Sequence, residues 1–98
     1  MNINFEKNAE NLTISLDGRL DTATAPELEE FLNTNLQGVK SLTVDCQKLT
    51  YVSSAGLRVL LSAQKKMQKI GSMKVTNVCE VVMEVFEMTG FADILTIA

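Results

Sequence analysis

The sequence predicts an α/β fold built on a mixed, mostly parallel sheet with helices mainly on one face, in the order β-β-α-β-α-β-α-β. Three observations lead there. Apolar and polar residues alternate through the N-terminal stretch, as in half-buried strands. Three later segments repeat their apolar residues at helical spacing. Short apolar runs stand between those segments, and strands alternating with helices imply right-handed parallel crossovers.

Taken in order, Ile3 and Phe5 alternate with Asn2, Asn4 and Glu6 as a first strand. Asn8 to Asn11 reads as a turn. Leu12, Ile14 and Leu16 alternate with Thr13, Ser15 and Asp17 as the second arm of a hairpin. Asp17-Gly18 ends or bends that strand. Thr24-Ala25-Pro26-Glu27 has a capping-box pattern with proline in the first turn, and Leu28, Phe31, Leu32 and Leu36 form the apolar stripe of a helix that Gly38 ends. Leu42 to Cys46 is the next strand, and its shortness suggests a central position.

The longest element runs from about Ser54 to Ile70. Its apolar arc holds Leu57, Val59, Leu60, Leu61, Ala63, Met67 and Ile70, with Arg58, Ser62, Lys65 and Lys69 opposite. Gly71 stops it. Met73 to Thr76 is another strand. Asn77-Val78-Cys79-Glu80 resembles a second capping box, followed by a helix with Val78, Val81, Val82, Val85 and Met88 on one side and Glu80, Glu84 and Glu87 on the other. Gly90 ends it, and Ile94 to Ile97 reads as a last short strand.

Ninety-eight residues make one domain, residues 1–98. The chain is 46% hydrophobic and only 5% aromatic, which suits an aliphatic core. A net charge of −3 argues against a nucleic-acid partner, which needs a basic footprint. Cys46 and Cys79 lie far apart in a chain without histidine, so a zinc site is improbable and both read as reduced core residues of a cytoplasmic protein. No apolar run is long enough to span a membrane.

The junction from Asp45 to Leu61 carries the chemistry. A strand, a short loop and a helix opening on Ser53, Ser54 and Gly56 put hydroxyls at the carboxyl edge of a sheet, beside the positive end of a helix. One reading is N-capping by Ser53 or Ser54. A second is a nucleophilic serine in a small Ser/Asp hydrolase, but no Ser-His pair can exist here and no Gly-x-Ser-x-Gly elbow is present. A third is phosphorylation, which adds about −1.5 to −2 charge at a helix end that tolerates it.

Several segments together resemble one known family. Gly18-Arg19-Leu20-Asp21-Thr22-Ala23-Thr24-Ala25-Pro26-Glu27-Leu28 is similar to a Gly-x-Leu-Asp segment before the first helix. Val44-Asp45 with Leu49-Thr50-Tyr51-Val52, and then Ser54-Ala55-Gly56-Leu57, resemble the strand, loop and helix start around a phosphorylated serine. Asn77-Val78 and Phe86-Glu87-Met88-Thr89-Gly90-Phe91 fit the last third. The chain thus resembles a STAS domain, specifically a stand-alone anti-sigma factor antagonist.

That resemblance implies a regulatory module, not an enzyme, with no cofactor of its own. The unphosphorylated form would bind an anti-sigma factor that is also a serine kinase of the histidine-kinase-like ATPase fold, freeing the sigma factor. Phosphorylation would release the module, and a PP2C-type phosphatase would restore it. The resemblance implies Ser54 as the acceptor, with Ser53 as rival. It implies a partner surface including Asp21, Thr22, Asp45, Ser53, Ala55, Gly56 and Arg58. Ser53 stands where the family commonly has aspartate, and Ala55 replaces a second Ser or Thr. These departures keep open a constitutive interaction module, a scaffold or a subunit of a signalling or lipid-transport assembly.

Overall fold

A computed structural model describes residues 1–98. Its elements are β1 (Asn2–Asn8), β2 (Asn11–Leu20), α1 (Ala25–Asn35), β3 (Ser41–Val52), α2 (Ser54–Ile70), β4 (Ser72–Thr76), α3 (Glu80–Thr89) and a single turn of helix, α4 (Phe91–Ile94). The four strands lie in the order β1-β2-β3-β4. β1 pairs antiparallel with β2, while β2, β3 and β4 run parallel. The sheet is therefore mixed and mostly parallel, as the sequence predicts.

One alternating set of strand residues is buried: Leu12, Ile14 and Leu16 on β2, Leu42, Val44 and Cys46 on β3, Met73 and Val75 on β4. Because the pleat sends successive side chains to opposite faces, these all point the same way. They join Leu28 and Leu32 of α1, Leu57, Leu60 and Met67 of α2, and Val82 and Phe86 of α3 in one contiguous core of 24 buried residues. The helices thus cover this face. The other set, including Thr13, Thr43, Asp45 and Lys74, forms an open polar face.

Several boundaries differ from the sequence reading. β3 is long, not short, and runs to Val52. Its second half was hidden because the β2–β3 register shifts twice, between Ser15 and Asp17 and between Gly18 and Arg19. Each bulge breaks the strict alternation of buried and exposed residues. Thr24 makes no side-chain cap on α1; its hydroxyl instead accepts the Asp21 N–H at 2.8 Å and donates to the Arg19 carbonyl at 2.8 Å. Cys79, not Asn77, is the N-cap residue of α3. Asn77 sits in a left-handed turn with φ 55°. With the start moved to Glu80, α3 buries Val82 and Phe86, while Val81 and Met88 face solvent. The expected last strand is replaced by α4 and one parallel bridge between Val75 and Ile97.

α2 spans the predicted residues and is held at both ends by close backbone approaches. At its far end, a Cβ built on Gly71 would lie 1.9 Å from the Lys40 carbonyl oxygen. That carbonyl also accepts the Ser72 N–H at 2.9 Å, which locks β4 to the turn before β3. Gly71 has an extended backbone with φ 175°, so the demand for glycine here is purely one of space. Gly71→Ala is expected to destabilise the chain by about 3 kcal/mol, the upper part of the overpacking range, because a backbone carbonyl cannot yield. Urea denaturation against wild type checks this.

Candidate functional site

The site lies where β2 and β3 end and α2 begins. Ser53 follows the last residue of β3, and its N–H donates to the Leu20 carbonyl at 2.8 Å, tying the end of β3 to the end of β2. Its side chain is the N-cap of α2: Oγ accepts the Gly56 N–H at 3.3 Å. Its backbone is extended, as a capping residue requires. Ser54 is the first helical residue, is exposed, and its hydroxyl makes no hydrogen bond within the chain. The capping role thus falls to Ser53 and leaves Ser54 free.

Gly56 is buried one turn into the helix. A Cβ on it would meet Leu20 Cγ at 2.6 Å and the Leu20 carbonyl oxygen at 2.9 Å. The same carbonyl receives the Ser53 N–H. Without a side chain at Gly56 the helix can press directly onto the end of β2, so the loop that follows Leu20 is fixed beside Ser53 and Ser54.

That loop is organised by Asp21. Its Oδ1 accepts the Ala23 N–H at 3.0 Å and the Thr24 N–H at 3.1 Å, and at 3.2 Å it shares the single Thr24 hydroxyl proton with the Arg19 carbonyl. Thr24 closes the turn by accepting the Asp21 N–H. The Thr24 backbone N–H is the largest influence; together with the Thr24 hydroxyl, the Ala23 N–H and the nearby Arg19 guanidinium it outweighs desolvation and holds the Asp21 carboxyl below its ordinary range. Arg19 Nε lies 3.8 Å from Asp21 Oδ2. The same guanidinium stacks 4.2 Å above the Tyr51 ring. Arg19 and Tyr51 therefore belong to the rim of this site. The sequence places both in loops of the expected binding surface, Gly18–Thr24 and Thr50–Gly56, but with β3 ended at Cys46 it does not pair them; the Arg19–Tyr51 register does.

The structure brings most of the predicted residues to one place. Thr22, Ala25, Pro26, Glu29, Ala55 and Arg58 line a shallow groove of about 210 Å³ between the Asp21 loop, α1 and α2. Arg58 lies four residues after Ser54, on the same side of the helix. Asp45 is elsewhere. It lies within β3, opposite Ser15 and Thr76, and roughly 23 Å of strand separates it from Val52 at about 3.3 Å per residue. Its carboxylate accepts the Gln47 N–H and the Asn77 side-chain amide, each at 3.0 Å. It borders a second polar cavity of about 180 Å³ with Asn4, Ser15, Asp17 and Lys48.

Chemically, the Ser54 edge offers a hydroxyl, one ordered carboxylate and two guanidinium groups. The chain has no histidine, and no lysine is hydrogen-bonded to either serine, so the hydroxyls lack a general base of their own. Cys46 is buried, and burial pushes its thiol up to about 12. No helix is long and apolar enough to cross a membrane.

The fold is that of a small α/β module with a mixed four-stranded sheet and a polar edge at the start of α2. The chain belongs to the STAS domain family: the family model described as "Mlab, STAS domain" matches residues 3–96. Along its whole length it is 28% identical to the anti-sigma-B factor antagonist of Bacillus subtilis, covering 91% of that protein. It is 33% identical to BtrV of Bordetella bronchiseptica, again over 100% of this chain and 86% of that one. Its fold is similar to the Bacillus cell fate determinant SpoIIAA in the phosphorylated form, with a TM-score of 0.77 at 19% identity over 99% of this chain and 91% of that one. The chain is thus a member of the anti-sigma factor antagonist family.

Two outcomes follow from this geometry. Gly56→Ala should destabilise by about 1–2 kcal/mol, since the gain of up to about 1 kcal/mol in helix propensity is smaller than the overpacking cost against Leu20; thermal denaturation checks it. Asp21 should make stability depend on pH. Its carboxyl is lowered in the folded chain from an ordinary value of 3.8. Its contribution is therefore fully present above that value and is lost as pH falls through the lower folded value. In denaturant titrations, wild type should exceed Asp21→Asn at pH 7, and the gap should close in strong acid.

Proposed function

We propose that this chain is an anti-sigma factor antagonist switched by phosphorylation at Ser54. In this reading the unphosphorylated form binds an anti-sigma factor that is also a serine kinase of the histidine-kinase-like ATPase fold, which releases the sigma factor. The kinase supplies ATP and Mg²⁺, so the antagonist needs no cofactor, and a PP2C-type phosphatase reverses the reaction. All of this takes place in the cytoplasm.

The observation that carries the reading is the division of labour between the two serines. Ser53 is committed to the cap, with its hydroxyl on the Gly56 N–H. Ser54 is exposed and unbonded, so a kinase can reach it without undoing the helix start. Phosphate there carries about −1.5 to −2 charge at pH 7, and the positive end of α2 tolerates it. The effect then falls on the partner. Reversing occupancy from 1:99 to 99:1 needs about 5.5 kcal/mol. A doubly charged group stripped of water in an interface reaches that scale. Asp21 adds like charge from the neighbouring loop. Thr22, Ala55 and Arg58 supply the groove into which a partner side chain fits.

A constitutive interaction module is the second reading. It is favoured by Ser53 and Ala55, which depart from the family's usual residues, and by a family model whose description names Mlab.

The deciding experiment incubates wild type, Ser53→Ala and Ser54→Ala with ATP and lysate of the source organism, then maps phosphate by mass spectrometry. Phosphate on wild type and Ser53→Ala but absent from Ser54→Ala is the expected result. Ser54→Asp should fold within about 0.5 kcal/mol of wild type, yet bind the kinase about tenfold or more weaker. An active lysate that modifies none of the three overturns the switch in favour of the constitutive module.

A further inference from the structure

The sheet has two outer edges, and only one of them is closed. At β4, the Val75 N–H donates to the Thr96 carbonyl at 2.8 Å and the Ala98 N–H to the Val75 carbonyl at 2.9 Å, so residues 96–98 cover that edge. β1 stands at the other end of the strand order and has no strand outside it. The two-residue turn Ala9-Glu10 closes the hairpin on Asn8 and Asn11 as a bonded pair. The Glu10 carbonyl, one residue away, accordingly points to the β3 side, where it accepts the Lys40 N–H at 2.8 Å. Main-chain groups alternate sides along a strand, so Asn2, Asn4, Glu6 and Asn8 face β2. The N–H and C=O groups of Ile3, Phe5 and Lys7, six in all, therefore point outward. Their side chains lie on the helix side of the sheet, opposite buried Leu16, Ile14 and Leu12. Phe5 is 57% exposed there, its ring centroid 5.1 Å from that of Phe31. Natural edges are blunted by proline, bulges or inward charges. β1 has no proline, its pairing with β2 is unbroken, and Lys7 near one end is its only outward-edge charge.

We propose that β1 pairs antiparallel with β1 of a second copy, across a two-fold axis at Phe5, so that two four-stranded sheets join into one continuous sheet. The strand matches its own reversal. Phe5 is the central residue of Asn2–Asn8, so this axis uses the whole strand. It sets Phe5 opposite Phe5 and Ile3 opposite the second copy's Lys7, which are the outward-facing residues, and engages all six free groups of each copy. On the polar side Asn4 meets the second copy's Glu6, amide to carboxylate. Neighbouring registers are worse. An axis at Glu6 opposes two glutamates and one at Lys7 opposes two lysines, which like charge disfavours. An axis at Asn4 leaves Lys7 and Asn8 beyond the end of the second strand. At the Phe5 axis two aromatic rings meet, each already against its own Phe31, and such cross-strand aromatic pairs stabilise a sheet. One strand per copy, about 23 Å long, makes less than a standard interface, so the dimer is reversible, with a Kd on the order of 10–100 µM. Ser54 lies at the ends of β2 and β3, outside this contact, so the pairing stands without the antagonist reading.

Sedimentation velocity of the full-length chain over a roughly hundredfold range of concentration should show a monomer–dimer equilibrium. In amide hydrogen exchange followed by NMR, Ile3, Phe5 and Lys7 should gain about threefold or more protection as concentration rises, while Asn4 and Glu6, already bonded to β2, keep theirs. Phe5→Lys and Phe5→Glu each place like charges across the axis and should weaken self-association about tenfold or more. Mixed in equal amounts, the two variants should form a heterodimer about fivefold or more tighter than either forms alone, because only this register brings the fifth residue against itself. Circular dichroism checks that both variants are folded, and the exchange pattern of the wild type needs no variant. A chain that stays monomeric over the whole range, a dimer that both substitutions leave unchanged, or a mixture no tighter than its parts overturns the pairing.

Discussion

The Leu20 carbonyl accepts the Ser53 N–H and lies against the bare Cα of Gly56, and the geometry of this end of the sheet follows from that contact. It ties β2 to β3 after two bulges have shifted their register. It lets α2 start directly over the end of β2. It also fixes where the next residue, Asp21, begins its turn. A glycine is needed there for a reason unconnected with flexibility: no other residue leaves room for a carbonyl already engaged by the cap. The serine pair, the Asp21 loop and the groove beside Arg58 are positioned together by that one approach.

Around it, some polar groups are bonded within the chain and others are left largely to solvent. Asp21 satisfies two backbone donors and a hydroxyl, which makes its loop a rigid ledge. Ser53 and Thr24 are likewise occupied. Ser54 and the bases of α2 have no carboxylate or backbone claim on them. Interior accounting explains the first group, since unpaired polar atoms near a core are costly. The second group is exposed, where water satisfies it.

How far the fold was legible depended on periodicity. Leu12, Ile14 and Leu16 alternate cleanly, and Leu57, Leu60, Ala63 and Met67 keep helical spacing, so β2 and α2 were readable residue by residue. β3 was cut short at Cys46 because a bulge placed exposed Gln47 and Lys48 next to each other. That single misreading also misplaced Asp45, which stands mid-strand and not at the loop. Thr24 shows a different limit. Its position before Ala25 and Pro26 fits a capping pattern, but the Arg19 carbonyl and the Asp21 N–H compete for the same hydroxyl and win. Near the C-terminus, β-branched Ile94 and Ile97 suggested a strand; helical turn α4 takes the first, and only one bridge forms at the second. The Ser53–Ser54 pair was visible as a motif, but spacing could not say which hydroxyl caps.

α2 is pressed at one end onto the Leu20 carbonyl and at the other onto that of Lys40, with no space at either contact for even a methyl group. A helix clamped in this way has no slack with which to act as a lever. Under the proposed switch, a phosphate on Ser54 would leave the helix where it stands, and the state of the domain would last only as long as the covalent bond that carries it.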